Sequence, residues 1–227
     1  MIKAVIFDLD DTLFDEVDFV RSGFRAVARH ITTLSDRYSP DDVFDFIWKC
    51  SLTGEAGTTF NLALAELGFS DDPSLVGRLV EVYRTHTPAL ILPPDSRSVL
   101  EELKGRYTLG LLTDGFLPTQ RLKLQALGIE HYFDAIVYTE ELGREHWKPS
   151  PRGFETLLQT LGALPEQTAC VADNESKDFI APNRLGLLTI QLLRPAGLHR
   201  QPSPLPDAAP QLKIDKIDRL IAVLAQH

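Results

Sequence analysis

Val5-Ile6-Phe7-Asp8-Leu9-Asp10-Asp11-Thr12-Leu13 is the stretch around which the rest of the chain is organised. Lys3 to Phe7 is a short, mostly apolar run of the kind that forms a buried strand, and it stops at two aspartates spaced i, i+2. An extended backbone sends i and i+2 side chains to one face. Asp8 and Asp10 are therefore expected to point together from the strand's carboxyl end. In an open α/β sheet, that end borders the ligand crevice. Two carboxylates this close resist joint ionisation unless a cation lies between them, and hard, oxygen-seeking Mg²⁺ suits that place. Taken alone, the pair reads more readily as a strand running into an Asx-rich turn.

The 227 residues are long enough for one large domain or for a core with a smaller insert. A formal net charge of −9 argues against a nucleic-acid surface, which carries a basic patch or stripe. It does not argue against a small anionic substrate, because a local basic site can sit on an acidic protein. No apolar run approaches the ~20 residues of a membrane span, and the chain starts directly on a strand rather than on a signal peptide. Cys50 and Cys170 stand far apart and form no metal or redox motif. Both are expected to be reduced, in a cytoplasmic protein.

Beyond the first strand the pattern turns helical. Val17, Val20, Phe24, Val27, Ala28 and Ile31 recur at helix spacing. Ser39 is placed to cap a second helix with Pro40 in its first turn, and Val43, Ile47 and Cys50 form its inner stripe. A third helix spans about 58–67 and stops at Gly68, and a fourth carries Leu75, Val76, Leu79, Val80 and Tyr83 after the breaker Asp71-Asp72-Pro73. From Pro93-Pro94 onward strand and helix alternate, with strands at 107–113, 135–138, 168–172 and 188–192. Such alternation calls for a parallel sheet covered by helices. The reading is an α/β fold, a Rossmann-like doubly wound parallel sheet over 1–14 and 93–227, interrupted by an all-helical insert over 15–92. Pro182 falls inside an apolar helical pattern, so that helix is expected to start late or bend. Residues 194–210, rich in Pro and Ala, read as an irregular surface connection, and Ile214 to Leu224 as a last amphipathic helix.

Three later stretches end strands or open helices with polar groups. Leu109 to Gly115 is an apolar run ending in Thr113-Asp114-Gly115, where a hydroxyl and exposed N–H groups can hold a phosphoryl oxygen. Trp147-Lys148-Pro149-Ser150-Pro151 sets one lysine before a proline-stiffened helix start. Cys170 to Asp178 ends a strand at Asp173-Asn174 and carries a second acid at Asp178. With the first stretch, these four resemble, in order, the motifs of the haloacid dehalogenase superfamily of phosphotransferases. Two positions depart from the common pattern: Asp114 stands where Asn is usual, and Ala172 where Gly is usual.

The resemblance implies that Asp8 is the nucleophile, forming an aspartyl-phosphate, and that Asp10 is the general acid/base with its backbone carbonyl on the metal. It implies Thr113, Asp114 (through its N–H), Gly115 and Lys148 as contacts of the transferring phosphoryl group. Asp173 would bind Mg²⁺ directly, with Asn174 and Asp178 just behind it, Asp178 orienting Lys148 or a metal-bound water. Thr12 steadies the turn, and Asp11, at a variable position, inherits no role. The insert would be the family's type-1 cap. The implied activity is Mg²⁺-dependent hydrolysis of a small phosphorylated metabolite such as a sugar phosphate, nucleotide or phosphorylated acid, with no nucleic-acid or membrane partner. A phosphomutase of the same superfamily keeps both aspartates, and a non-catalytic binder on this scaffold is the reading from another class. Arg21, Arg25 and Arg29 lie on one flank of the first insert helix, as a solvated face or as contacts for a second anionic group. The loops at 51–57 and 143–146, the latter with Arg144 and His146, are the other candidates to reach a substrate.

Overall fold

The structure, a computed structural model, describes residues 1–227 except Glu55, Ala56, Asp71, Leu198 and Arg200. The described residues divide into two compact units, one of Met1–Glu16 with Ile91–His227 and the other of Val17–Leu90.

The first unit is built on a sheet of six parallel strands: β1 Ala4–Phe7, β2 Thr108–Thr113, β3 Ala135–Tyr138, β4 Thr168–Ala172, β5 Leu188–Leu192 and β6 Leu212–Ile214. Their order is β3-β2-β1-β4-β5-β6. The chain thus steps outward from β1 to β3, returns across β1 to β4, and steps outward again. The order reverses beside β1, which makes the carboxyl ends of β1 and β4 the place where such a sheet opens a ligand crevice. All four β1 side chains are fully buried, because the strand is paired on both sides and covered on both faces.

Helices α5 Pro94–Leu103, α6 Leu117–Leu127, α7 Arg152–Leu161, α8 Ile180–Leu185 and α9 Arg219–Leu224 complete this unit. Phe154, Leu157 and Leu158 of α7 pack on Ile6, Leu112 and Cys170 of the sheet, together with Ala181 of α8. Gly153 makes that approach possible, since a Cβ there would lie 2.7 Å from Leu112 Cδ1. Helix α8 does start late: Pro182 falls in its first turn, where the missing N–H has no intrahelical partner.

Two expectations for the carboxyl-terminal part are corrected. Ile214 belongs to β6, paired with Leu192, and only the shorter α9 follows it. Ile214, Ile217 and Leu220 stand at helix spacing, yet the pairing of Ile214 with Leu192 claims it for an edge strand too short to show a period of its own. The connection at 194–210 is not wholly superficial, for Arg194 and Ala208 are buried; its Leu198 and Arg200 lie outside the described residues.

In the second unit every regular element among the described residues is helical: the body of α1 Glu16–Thr32, then α2 Pro40–Thr53, α3 Thr59–Glu66 and α4 Pro73–Thr85. Ser39 and Asp42 form a reciprocal capping box at the start of α2. Asp72 caps α4 by accepting from Ser74 N, while Asp71 of the same breaker lies outside the described residues. Phe24, Val27, Ile31, Ile47, Phe60 and Leu79 centre the core. Arg21 and Arg25 lie over the Trp48 and Phe44 rings at 5.3 and 5.1 Å, so this flank is engaged in cation–π contacts. Helix α2 takes in the start of the 51–57 loop, whose Glu55 and Ala56 lie outside the described residues. Asp15 and Glu16, read from sequence as the start of the insert, belong to the first unit, where they reach Arg194 and Lys123.

Candidate active site

Asp8 directly follows β1, Asp173 directly follows β4, and Thr113 ends β2. Phe7 is level with Leu111 on one side and Val171 on the other, so parallel pairing delivers all three to one edge of the sheet. Asp8 N donates to Val171 O at 3.0 Å and fixes the exit of β1. One carboxylate oxygen from each of Asp8, Asp173 and Asp178 lies within 4.8 Å of the others, and all three residues are buried. Lys148 sits between two of them, its Nζ 2.5 Å from Asp8 Oδ1 and 2.8 Å from Asp178 Oδ1.

Burial raises Asp8 to about 6, against the opposing pull of Lys148 and with help from the Asp178 charge. Asp178 moves the other way. Its burial is outweighed by Lys148, by Lys177 and by the N–H of Asn174 donating to Oδ2 at 3.0 Å. Lys148 is held well above the usual lysine range, because Asp178, Asp8 and Asp114 overcome the burial that would discharge it. Asp173 is the outlier, pushed up to about 9 by burial and by the Asp8, Asp178 and Asp11 carboxylates.

That cluster fits a divalent cation. Asp173 Oδ2 is buried without a hydrogen-bond partner, an arrangement that is costly for a carboxylate unless a cation completes it. The donors are all oxygens, as Mg²⁺ prefers. Asp8 and Asp173 offer carboxylates to such an ion. Asp178 lies within the same 4.8 Å, yet its two oxygens serve Lys148 and Asn174 N, which marks it as a support.

The other sequence-chosen residues fall into place around this centre. Asp10 is brought next to Thr113 by Gln120, whose Nε2 donates to Asp10 Oδ2 at 2.9 Å and Thr113 Oγ1 at 2.5 Å. The Asp114 carboxylate, a departure from the family's Asn, accepts from Thr139 Oγ1 at 2.7 Å and from Lys148 N at 3.0 Å. It braces the lysine loop against the end of β2. Gly115 adopts φ +133°, a conformation open to glycine. Asn174 Oδ1 accepts from the N–H and hydroxyl of Ser176, closing the turn that carries Asp173 toward Asp178. Asp11 has φ +53°, and its Oδ1 accepts from Glu16 N at 2.8 Å, so it shapes the exit into α1. Thr12 Oγ1 reaches Asp8 Oδ2 at 3.4 Å. Arg144 lies over the Phe116 ring and pairs with Glu140, and His146 stands 3.9 Å from Glu145.

Five residues of this region escaped the sequence reading. Gln120 and Lys123 lie on the buried face of α6. Their signal was available: two long polar side chains at i, i+3 beside Leu124 and Leu127, where an amphipathic helix puts apolar residues. Lys177 is half-buried, and its charge acts on Asp178, Asp8 and Asp114. Gln191 Nε2 donates to Asp173 O at 2.7 Å from the neighbouring strand. Arg194 donates to the carbonyls of Thr12 and Leu13 and to Ser96 Oγ, anchoring the loop beyond Asp10. Nothing in the local sequence distinguishes these last three from ordinary surface side chains.

A family model described as haloacid dehalogenase-like hydrolase matches residues 2–186. The chain belongs to this family. It is 32% identical to a glyceraldehyde 3-phosphate phosphatase of Methanopyrus kandleri over all of this chain and 98% of that one. A protein of the same name from Methanothermobacter thermautotrophicus is 30% identical over 84% of this chain and 85% of its own. Relatives so named put this haloacid dehalogenase-like hydrolase in the phosphatase branch. Among solved structures, a 2-haloacid dehalogenase from Pseudomonas syringae superposes with a TM-score of 0.65 at 25% identity, covering 100% of this chain and 99% of that one. No helix among the described residues of this hydrolase is long and apolar enough to cross a membrane.

Proposed function

We propose that this chain is a Mg²⁺-dependent phosphomonoester hydrolase working through an aspartyl-phosphate on Asp8. The observation that carries the reading is the buried Asp8–Lys148–Asp178 array beside Asp173, whose Oδ2 has no partner. Asp8, Asp173 and the Asp10 carbonyl would hold the ion. When bound, Mg²⁺ supplies positive charge to the phosphoryl oxygens and keeps Asp8 ionised.

An Asp8 carboxylate oxygen attacks phosphorus as the bond to the leaving oxygen breaks, while Thr113, Lys148 and the N–H groups of 114–115 hold the spread charge. Asp10, carrying a proton, gives it to the leaving alkoxide. As a carboxylate it then takes a proton from the water that attacks the same phosphorus, which frees inorganic phosphate and restores Asp8. Asp178 keeps Lys148 aimed at Asp8 throughout, a task its two hydrogen bonds suit it for.

The substrate we propose is a small phosphorylated metabolite, with glyceraldehyde 3-phosphate first to be tested because of the relatives so named. The helical unit at 17–90 is proposed as the cap that selects the leaving group. Free, buried Cys50 and Cys170 suit a cytoplasmic setting.

The test is phosphate release from a panel of phosphomonoesters, with Mg²⁺ and with chelator, alongside Asp8→Asn. Metal-dependent turnover that disappears in Asp8→Asn is the expected result. Folded protein that releases no phosphate from any ester refutes the hydrolase reading and points to a mutase or a binder.

A further inference from the structure

Helix α6 presents to the interior what an amphipathic helix keeps outside. Gln120 is 2% exposed and Lys123 is 3% exposed, one turn apart on a face shared with Leu124 and Leu127. Burying an amide and an ammonium is costly unless each finds partners, and both find the same one. Lys123 Nζ donates to Asp10 Oδ1 at 2.7 Å, and Gln120 Nε2 donates to Asp10 Oδ2 at 2.9 Å. Each carboxylate oxygen therefore has its own donor, which fixes the plane of the group as well as its place. Gln120 also donates to Thr113 Oγ1 at 2.5 Å, tying Asp10 to the hydroxyl at the end of β2. Glu16 Oε1 stands 3.7 Å from Lys123 Nζ, a second carboxylate sharing that cation. The loop leaves room for the amide, because a Cβ on Gly115 would come within 3.1 Å of Gln120 Cδ.

We propose that Gln120 and Lys123 are positioning residues for proton transfer by Asp10, acting as a two-pronged clamp on its carboxylate. The inference rests on the phosphatase reading and deepens it. Proton delivery depends on the angle as well as the distance between acid and leaving oxygen. A carboxylate on a mobile loop meets that demand rarely, whereas one held through both oxygens by a single rigid helix turn meets it in every cycle.

A positioning role has a signature that a merely structural one lacks. An alkyl phosphate needs a proton on its departing alkoxide, whereas p-nitrophenyl phosphate releases a stable phenolate and needs little help. The experiment compares kcat and KM for these two ester types in wild type, Gln120→Leu, Lys123→Met and Lys123→Arg, with thermal unfolding of each variant. Gln120→Leu removes only a neutral amide, so it decides the matter should Lys123→Met fail to fold. The expected result is a loss of kcat on the alkyl ester of about 10²-fold or more, with under about 10-fold on the nitrophenyl ester and KM little changed. Lys123→Arg, which keeps a donor for Asp10, recovers part of the alkyl-ester rate. Equal losses on both esters, or no loss in a folded variant, overturn the clamp while leaving the phosphatase standing. A wild-type chain inactive on every ester overturns the phosphatase reading and the clamp with it.

Discussion

Replacing Asp173 by Asn should stabilise the metal-free protein while destroying its response to Mg²⁺. The Asp173 carboxyl is raised from 3.8 to about 9, first by burial and then by the Asp8, Asp178 and Asp11 charges. A carboxyl raised in the folded state binds its proton more tightly there than in the unfolded chain. Its contribution to stability is therefore lost as pH rises from about 4 toward 9, at about 1.4 kcal/mol per pH unit. At pH 7 that reaches about 4 kcal/mol, and relaxation with water entry trims it to about 1–3 kcal/mol. Asn has nearly the same shape and no charge to bury, so Asp173→Asn should recover that amount. Urea unfolding in chelator is the assay, read as free energies from about pH 4 to pH 8. The variant should exceed wild type by a margin that grows with pH, and Mg²⁺ should close the gap by stabilising wild type alone. A variant less stable than wild type in chelator at about pH 8, or a margin that does not shrink toward pH 4, refutes this account of the site.

Lys148→Met leaves Asp8 and Asp178 buried without their shared cation; phosphate release should fall at least about 10²-fold, with a stability loss of about 3–5 kcal/mol in urea. Arg194→Met deprives the carbonyls of Thr12 and Leu13 of their donor, and unfolding should record a loss of about 2–4 kcal/mol. Ser39→Ala removes the hydroxyl that accepts from Asp42 N and donates to Asp42 Oδ2 and should cost about 1 kcal/mol by the same measurement.

The placement of the candidate site was legible in the sequence wherever a strand end states it locally. Asp8 and Asp10, Thr113, and Asp173 with Asp178 each follow an apolar run whose length and period declare a buried strand. Lys148 was legible only through the resemblance to the family's motifs. Supports acting across the fold were not. Arg194 is one charged residue after a strand, and only the closed sheet reveals that it reaches carbonyls about 180 positions earlier. Asp114 departs from the usual Asn, and only the fold shows that its carboxylate serves Thr139 and the N–H of Lys148. Strand β6 was lost to the helix reading because three residues are too few to show a period of two.

The placement of β1 between β2 and β4 also sets an order of events for the growing chain. Ala4–Phe7 is made before either of its neighbours and finds neither locally, since its first partner begins at Thr108 and its second at Thr168. At about 5–20 residues per second the ribosome needs roughly 5–20 s to deliver the first of them. Over that interval the helices of 17–90, whose contacts are local, can assemble on their own. A sticky apolar strand meanwhile waits with both edges open, a state that invites pairing with another nascent chain. Asp8, the proposed nucleophile, is thus tethered to the last strand of the central trio to be secured. Damage far downstream, at β4, would show up first as chains that aggregate during synthesis rather than as folded enzyme with a weak site.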